Sequence, residues 1–492
     1  MQDHDFRINN RIEANLKGTI VDGATGQLIP ARVQVLTSKG RFVHPAGSLL
    51  KEGSGDPFFY SEGTFEVDVS RGNTRVIVER GTEYTPAKVD LYAPAYGTVV
   101  ADIVLERWTD LGDRGWHPGN THIHYDDRET RPDERLRLDP RVEDLRMTAI
   151  SILKQGDMPY ASNKYSPGML TDFSSAHHYV QCGEESRHNF RAPGPYGYGH
   201  VMLLNIKNIV EPVTRGRMVD AFDPDYPPLS YVCDDTRRQG GIVIWCHNGL
   251  GIEAPVAGVL GKLDAFNLFD DYWMDPEYDV YYQMLNTGIR MPVSTGSDWY
   301  VCNGNRVYAY TGKAFEYESW LDALKKGRTF ISNGPVLELN VQGNIPGAEI
   351  EAQVGDKVSA MATWESHYPV SHVEILFNGK SVATEFFPDG LKNGQIEVDV
   401  PASSDGWIAA RISTDVRDSY HHPVFAHTSP VYINTGLDSP EMSIAARGFS
   451  ETIERNLEWV MSRGKFYTDH QRREVSDLHK AGQELFNNMI KA

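Results

Sequence analysis

The chain has 492 residues, with 48 Lys and Arg against 67 Asp and Glu, which gives a formal net charge of −19. So acidic a composition argues against nucleic acids and anionic membranes as partners. No apolar run approaches the roughly 18 residues that a membrane-spanning helix requires. The content of hydrophobic residues, 40%, is ordinary for a globular protein, so we expect a sizeable core divided over about three domains of roughly 150 residues each.

Neither the amino terminus nor the cysteines indicate export or covalent cross-linking. Residues 1–15 carry charges of both signs and no apolar stretch, so they do not resemble a signal peptide. We therefore expect a cytoplasmic protein as the sequence is written, or a periplasmic or secreted one if a signal peptide was removed. The four cysteines stand singly, which argues against a zinc clip or a disulfide framework. Cys182 and Cys246 lie in apolar runs and are predicted to be buried free thiols.

Residues 1–110 are predicted to form a small β-sandwich. Short alternating runs, such as ARVQVL and GTFEVDVS, are separated by turn residues around Asp22-Gly23 and around Arg71-Gly72-Asn73. The order of residues in GTIVDGATGQLIPARVQV resembles the transthyretin-like domain, which implies a sandwich fold for this segment.

Residues 111–335 have a different pattern, in which strand-like and helix-like runs alternate. The strand-like runs are MTAISIL, HYVQCGE, HVMLLNI, GGIVIWCH and RMPVSTGSD, and helix-like runs such as LSYVCDDTRRQ and YESWLDALKKG lie between them. Alternating strands and helices predict a parallel sheet, and at this length a β/α barrel. Polar residues at the carboxyl ends of these strands are then the candidates for chemistry.

Residues 336–436 return to alternating strand patterns and are predicted to form a second β-sandwich. Residues 437–492 carry apolar residues at spacings of three and four, which predicts a helical tail. The whole chain is therefore expected to be multidomain, with a central barrel between two sandwiches.

The first candidate ligands are His122 and His124. Residues two apart in an extended strand face the same side, so both imidazoles can reach one ion. Asp126, Asp127 and Glu129 follow, and mixed nitrogen and oxygen ligands suit zinc, manganese or iron. A solvated acidic loop is the alternative interpretation of these carboxylates.

A second candidate is the pair Glu184 and Glu185, of which only one can point into a barrel. A buried carboxylate without a partner costs several kcal/mol, so it needs a metal or a charge partner. Arg187 and His188 offer an ordinary ion pair as the alternative. His200 begins the next apolar strand, where a histidine is as often structural as functional.

The strongest indication of a functional site comes from two further strand-like runs, each of which ends in a potential metal ligand. GGIVIWCHN is continuously apolar, as in a strand buried on both faces, and ends in His247. STGSDW ends in Asp298 after small residues that leave room for a ligand. A purely structural role explains one such residue more easily than it explains several potential ligands at the ends of different strands. The predicted metal ligands are His122, His124, Glu185, His247 and Asp298.

Taken in order, these motifs resemble the polymerase-and-histidinol-phosphatase (PHP) superfamily. The closer likeness is to the carbaryl hydrolase-like (CehA/McbA-type) metallohydrolases. It is carried by GNTHIH, GEESRHN, GYGHVMLLN, QGGIVIWCHNG, STGSDW, RTFISNGP and AHTSPVYI, and it covers residues 116–436. The resemblance implies a distorted TIM-like barrel and a metal-dependent hydrolase.

The resemblance also implies roles for single residues. The main metal would be held by His122, His124, Glu185 and Asp298, and His200 and His247 would hold additional metals or contact the substrate. Two family motifs are missing: the T-D-H motif, where this chain has ISILKQGD with Lys154, and the closing D-x-H, where it has Asp298-Trp299-Tyr300. We therefore expect one tightly bound divalent ion, with zinc preferred over manganese or iron.

The expected chemistry is attack by water, because a bound divalent ion lowers the pKa of water and polarises the electrophile. His200 or His247 would accept or donate a proton. His188 is a further catalytic candidate, with an ion pair to Glu184 as the alternative. Lys154 would orient the substrate, or pair with Asp157 or a glutamate.

Four aromatic residues lie near predicted strand ends and would line an aryl pocket, unless they belong to the core: Tyr196, Tyr198, Trp299 and Tyr300. The favoured substrate is a small molecule with an ester, carbamate or amide bond. A phosphoesterase is the second hypothesis, and a non-catalytic binding protein with a degenerate barrel is the third. No nucleic-acid or membrane partner is expected, and homo-oligomerisation stays open.

Overall fold

The computed structural model describes residues 13–154, 159–189, 197–216, 219, 222–247, 251–269, 278–298, 302–312 and 314–491. The described chain is rich in β-strands and divides into two compact units. Unit 1 comprises Met1–Asp110 and Asp133–Asp144, and unit 2 comprises Leu111–Pro132 and Leu145–Ala492. A multidomain, β-rich architecture was predicted and is confirmed. The segment Asp133–Asp144 belongs to unit 1, although it lies within the range predicted for the barrel.

Unit 1 is built from two sheets around its own apolar core. Its strands are β1 (Glu13–Asp22), β2 (Ala31–Leu36), β3 (Phe42–Val43), β4 (Phe59–Ser61), β5 (Thr64–Ser70), β6 (Gly72–Glu79), β7 (Ala87–Ala93) and β8 (Thr98–Leu105). One sheet has the order β5-β1-β8; the other has the order β3-β2-β6-β7, with β4 paired to β2. Apolar residues alternate with exposed ones along β5, because successive side chains of a strand point to opposite faces.

A helix completes unit 1, and it ends at a buried ion pair. This helix, α1 (Pro132–Val142), precedes Glu143, whose carboxylate accepts a hydrogen bond from the buried guanidinium of Arg32 on β2. Arg32 also pairs with Glu79 at 2.9 Å. The segment after α1 therefore supplies the partner of a buried charge on β2.

The first part of unit 2 alternates short strands with helices. They are β9 (Trp116–Ile123), β10 (Met147–Ile152), β11 (Gly168–Met169), β12 (Tyr179–Asn189), β13 (Gly199–Leu204), β14 (Thr214–Gly216), α2 (Leu229–Arg238), β15 (Ile242–Trp245), α3 (Ala254–Val259), β16 (Ala265–Asn267), α4 (Tyr278–Asn286), β17 (Val293–Ser294), β18 (Arg306–Tyr310) and α5 (Tyr317–Lys325). Three short 3-10 helices span Gly112–Arg114, Ala161–Lys164 and Thr171–Phe173.

These strands form a ring in the order β9-β10-β12-β13-β15-β16-β17. A parallel bridge between Ile123 and Asp298 joins the end of β9 to the segment after β17. The predicted parallel sheet is interrupted at β13, which runs antiparallel to both β12 and β15. The reason is the connection from β12 to β13, which has no helix within its described part, whereas parallel neighbours need a longer crossover.

The second part of unit 2 is a set of mostly antiparallel strands with its own apolar core. They are β19 (Thr329–Ser332), β20 (Val336–Val341), β21 (Glu349–Glu351), β22 (Lys357–Phe377), β23 (Lys380–Pro401), β24 (Gly406–Arg417), β25 (Pro423–Thr428) and β26 (Val431–Asn434). Strand β22 continues through Pro369. Strand β19 pairs with β18 and with β25, and so links this set to the ring.

The tail is helical, as predicted. Helix α6 (Pro440–Ser462) begins where the Ser439 side chain accepts a hydrogen bond from the Met442 backbone N–H, with Pro440 at the first helical position. Helix α7 (Asp469–Lys491) follows, and Phe449 and Phe486 pack with their ring centroids 5.1 Å apart. Among the described helices, none is both long enough and apolar enough to cross a membrane.

Candidate metal centre

The H-x-H pair lies at the end of β9 and both rings are fully buried. The Nε2 atoms of His122 and His124 are 3.0 Å apart, so both nitrogens face the same point, as the sequence predicted. His122 is held by its backbone: its N–H donates to Asn120 Oδ1 at 3.1 Å, and its carbonyl accepts from the Asp298 N–H at 2.9 Å.

The tautomer of His124 follows from its second nitrogen. Its Nδ1 lies 3.1 Å from the carbonyl oxygen of Ser151, and a carbonyl can only accept, so Nδ1 carries a proton. In a neutral ring, Nε2 then has a lone pair, and it lies 2.8 Å from Glu185 Oε2. A lone pair and a carboxylate oxygen repel each other at this distance unless a cation lies between them. Metal-binding histidines usually donate their other ring N–H to a carbonyl or carboxylate, as His124 Nδ1 does here to Ser151.

The glutamate that joins the centre is Glu185, which lies in the middle of β12 rather than at its end. Glu184 faces the opposite side, where its Oε2 accepts from the Val210 N–H at 2.7 Å. Burial raises the pKa of Glu184 to about 8. Burial acts in the same direction on Glu185, but the charge of Arg187 and the neighbouring His122, His124 and His200 outweigh it and hold its pKa well below the usual range.

Asp298 is the fourth residue of the centre and its side chain is fully buried. Its backbone has φ of 53°, in the left-handed region that an aspartate adopts at a cost. Within the described chain, neither of its carboxylate oxygens accepts a hydrogen bond. Burial raises the pKa of this carboxyl, although His122 and His247 oppose the rise. A buried carboxylate without hydrogen bonds is neutralised either by a proton or by a nearby cation, and a metal ion bound to the four residues would supply that cation.

The donors form two groups that share Glu185. In each group the candidate ligand atoms lie within 4.8 Å of one another. The first group is His122, His124, Glu185 and Asp298; the second is Glu185, His200 and His247. The structure therefore brings together the five predicted metal ligands and His200.

His200 and His247 approach the other oxygen of Glu185. The distance from Oε1 to His200 Nδ1 is 3.1 Å, and to His247 Nε2 it is 3.7 Å. His200 Nε2 also lies 3.1 Å from Asn189 Oδ1. Burial and the nearby Arg187 charge lower the pKa of His200 to about 3, so its ring is neutral at physiological pH. His247 has φ of 56° where β15 has just ended, a second left-handed residue in the centre.

His188 lies outside both groups. Its Nδ1 accepts from the Tyr198 backbone N–H at 2.9 Å, so its Nε2 carries the proton that is donated to Asp225 Oδ1, 2.8 Å away. Tyr198 stacks on this ring and is fully buried, so it belongs to the core. The expected alternative partner, Glu184, is not the one observed, and a catalytic role for His188 stays a prediction.

The remaining candidates are peripheral or outside the described residues. Lys154 is half exposed and pairs with Glu211 at 2.8 Å, which agrees with the ion-pair interpretation. Cys182 and Cys246 are buried free thiols, as predicted. The following candidates lie outside the described residues: Asp157, Tyr196, Trp299 and Tyr300.

Sequence reasoning missed the polar residues that support the ligands. Asn120 donates from its amide to Ser297 Oγ, which in turn donates to Asn303 Oδ1 at 2.9 Å. Tyr160 is buried, with its ring centroid 6.2 Å from that of His124. Asn120 directly precedes the T-H-I-H run, a position that could have been noticed, whereas nothing in the sequence points to Tyr160.

The chemistry of the first group fits a divalent transition metal. Two imidazole nitrogens and two carboxylate oxygens are a ligand set for zinc, manganese or iron. A positive charge between the four side chains would stabilise both the buried carboxylate of Asp298 and the lone pair of His124. The residues therefore could hold a metal ion.

Comparison with known proteins adds little to this geometry. No family model matches the chain, and no curated protein matches it. Among solved structures, the Bacillus anthracis TIE protein is similar at 8% identity, with 87% of this chain and 49% of that chain covered. The chain thus spans about half the length of that protein. The TM-score is 0.14, so the likeness carries no argument about fold or function.

Proposed function

We propose that this protein is a metal-dependent hydrolase of the CehA/McbA type, with the ring of unit 2 serving as a PHP-like barrel. The observation that carries the proposal is the first group of donors, where four side chains from three separate parts of the chain converge without solvent exposure. Such a set costs free energy to bury, and this cost is offset when an ion is bound. The substrates are small molecules with an ester, carbamate or amide bond.

The residues divide into those that hold an ion and those that move protons. When bound, a divalent ion supplies a Lewis acid that activates water and polarises the scissile bond. Glu185 and Asp298 supply the negative charge that retains it. His200 and His247 lie beside Glu185, and His247 also lies near Asp298, so either ring places a nitrogen where it can take up or release a proton.

The first test is metal content, measured by elemental analysis of the purified protein and of His122→Ala and Asp298→Ala. We expect about one equivalent of zinc, manganese or iron in the wild type and loss of it in both variants. His427→Gln is the matched control, because it replaces a buried histidine outside both groups and should retain the metal. A folded wild type that takes up no metal, even after reconstitution, would favour a non-catalytic binding protein.

The second test decides the substrate class. The metal-loaded protein is assayed with aryl esters, aryl carbamates, anilides and phosphoesters, beside Asp298→Ala. One observation favours the phosphoesterase: the buried guanidinium of Arg187 next to the ligands, since guanidinium groups bind phosphate well. Hydrolysis of phosphoesters alone would establish that second candidate. Hydrolysis of the carboxylic substrates, lost in the variant, would support the proposal.

A further inference from the structure

Arg187 is a buried cation inside the proposed metal centre. Its side chain is 2% exposed, and its Nη2 donates to Glu185 Oε2. It lies two residues after Glu185 on β12, so both side chains share one face of the strand. Across the sheet it is in register with His200 on β13. Its charge therefore acts on both groups of donors.

The charge balance of the centre limits how many ions it can hold. With a metal bound, Glu185 and Asp298 are ionised, and together with Arg187 they leave a net charge of −1. One divalent ion changes this to +1, and a second ion would change it to +3 among buried side chains. Within the described residues, no further carboxylate joins either group. Repulsion between buried like charges is strong because the surroundings screen it weakly.

The two groups differ in what they offer an ion. The first has two carboxylates and two imidazoles, whereas the second has only the shared Glu185 with His200 and His247. A single ion therefore goes to the first group.

We infer that Arg187 sets the metal stoichiometry of this centre, by keeping a second cation out of the Glu185, His200 and His247 group. The inference rests on the proposed metal-dependent function. Its consequence is that His200 and His247 stay free of metal and keep their nitrogens for proton transfer. Arg187 is a positioning residue here, since it acts through Glu185.

The test is calorimetric titration of the metal-free protein with Zn²⁺ and with Mn²⁺, for the wild type, Arg187→Gln and Arg187→Lys. Gln retains a hydrogen-bond donor to Glu185 but removes the charge, and Lys retains the charge. We expect one tight ion in the wild type, with any second ion at least about a hundredfold weaker. Arg187→Gln should take up two ions, and Arg187→Lys should behave as the wild type.

A spectroscopic measurement gives an independent readout. Two Mn²⁺ ions bridged by Glu185 would be magnetically coupled, so electron paramagnetic resonance should show coupling in Arg187→Gln and an isolated ion in the wild type. If Arg187→Gln fails to fold, Arg187→Met serves as the second neutral variant. Two tight ions in the wild type, or an unchanged stoichiometry in both neutral variants, would refute the inference while leaving the metal centre intact. No metal in the wild type would reject the centre itself, and the inference with it.

Discussion

At the scale of single residues, Gly296 shows how closely the chain packs against the metal ligands. A Cβ atom added to Gly296 would lie 2.3 Å from the Cβ of His122 and 2.9 Å from its backbone nitrogen. Gly296→Ala must therefore displace His122. We expect the affinity for the metal to fall by about tenfold or more, and stability to fall by about 1–3 kcal/mol from overpacking. Metal titration and denaturant unfolding measure the two effects separately.

Gly448 on α6 provides the matched control for this substitution. A Cβ atom there meets only Gln283 Oε1, at an ordinary 3.7 Å. Gly448→Ala should leave metal binding unchanged and stabilise the helix by about 0.5–1 kcal/mol. Equal metal affinities in the two variants would show that the position of His122 does not depend on Gly296.

The predictable part of the centre is the part that depends on local spacing. His122 and His124 are two residues apart in one strand, so their shared face follows from strand geometry alone. The choice between Glu184 and Glu185 did not follow, because it depends on the register of β12, which continues to Asn189 instead of ending near the glutamates. The role of Arg187 depends on the same register. Only the folded strand shows that Arg187 and Glu185 point into one space.

At the scale of elements, β25 and α4 meet at a buried histidine. His427 Nδ1 donates to the Thr428 carbonyl at 2.7 Å, so Nε2 accepts the Tyr282 hydroxyl at 2.8 Å. Burial lowers the pKa of His427 to about 3, well below its value near 6.5 in an unfolded chain. Between these two pH values the unfolded chain binds a proton that the folded protein does not. The contribution of His427 to the free energy of unfolding is therefore fully present above pH 6.5, and it declines as the pH falls towards 3.

Replacement of His427 by Gln removes this titration. We expect the loss of unfolding free energy between pH 8 and pH 5 to be smaller in His427→Gln than in the wild type by about 2 kcal/mol. Tyr282→Phe is the control: it removes the hydrogen bond but keeps the imidazole, so its pH dependence should follow that of the wild type. Denaturant unfolding at the two pH values checks both. The same pH dependence in His427→Gln as in the wild type would contradict a buried neutral His427.

Elements with strong internal periodicity were predicted well. The tail helices α6 and α7 follow from apolar residues at spacings of three and four, and the short strands of unit 1 follow from alternation. The antiparallel direction of β13 was missed, because an apolar run has the same appearance in either direction. The passage of β22 through Pro369 could not be foreseen either, since proline normally interrupts a central strand and here lies at an irregularity in the pairing.

At the scale of the whole molecule, the proposed metal centre belongs to only one of the two compact units. All six donors lie in unit 2, and unit 1 has an apolar core of its own. A ligand that binds only the folded state stabilises it by about 2.7 kcal/mol when its concentration is a hundred times its dissociation constant. That stabilisation acts on the part of the chain whose folding creates the site. Removal of the metal should therefore weaken unit 2 selectively.

Hydrogen exchange followed by mass spectrometry of peptides resolves the two units. With a chelator present, we expect the slowest amides of the ring strands, such as those of β12 and β15, to exchange up to about a hundredfold faster. Amides of β2 and β6 in unit 1 should exchange at unchanged rates. In Asp298→Ala the chelator should have no effect on either unit. Equal acceleration in both units would show that they unfold as one cooperative block, whereas an unaffected wild type would mean that the native protein holds no metal.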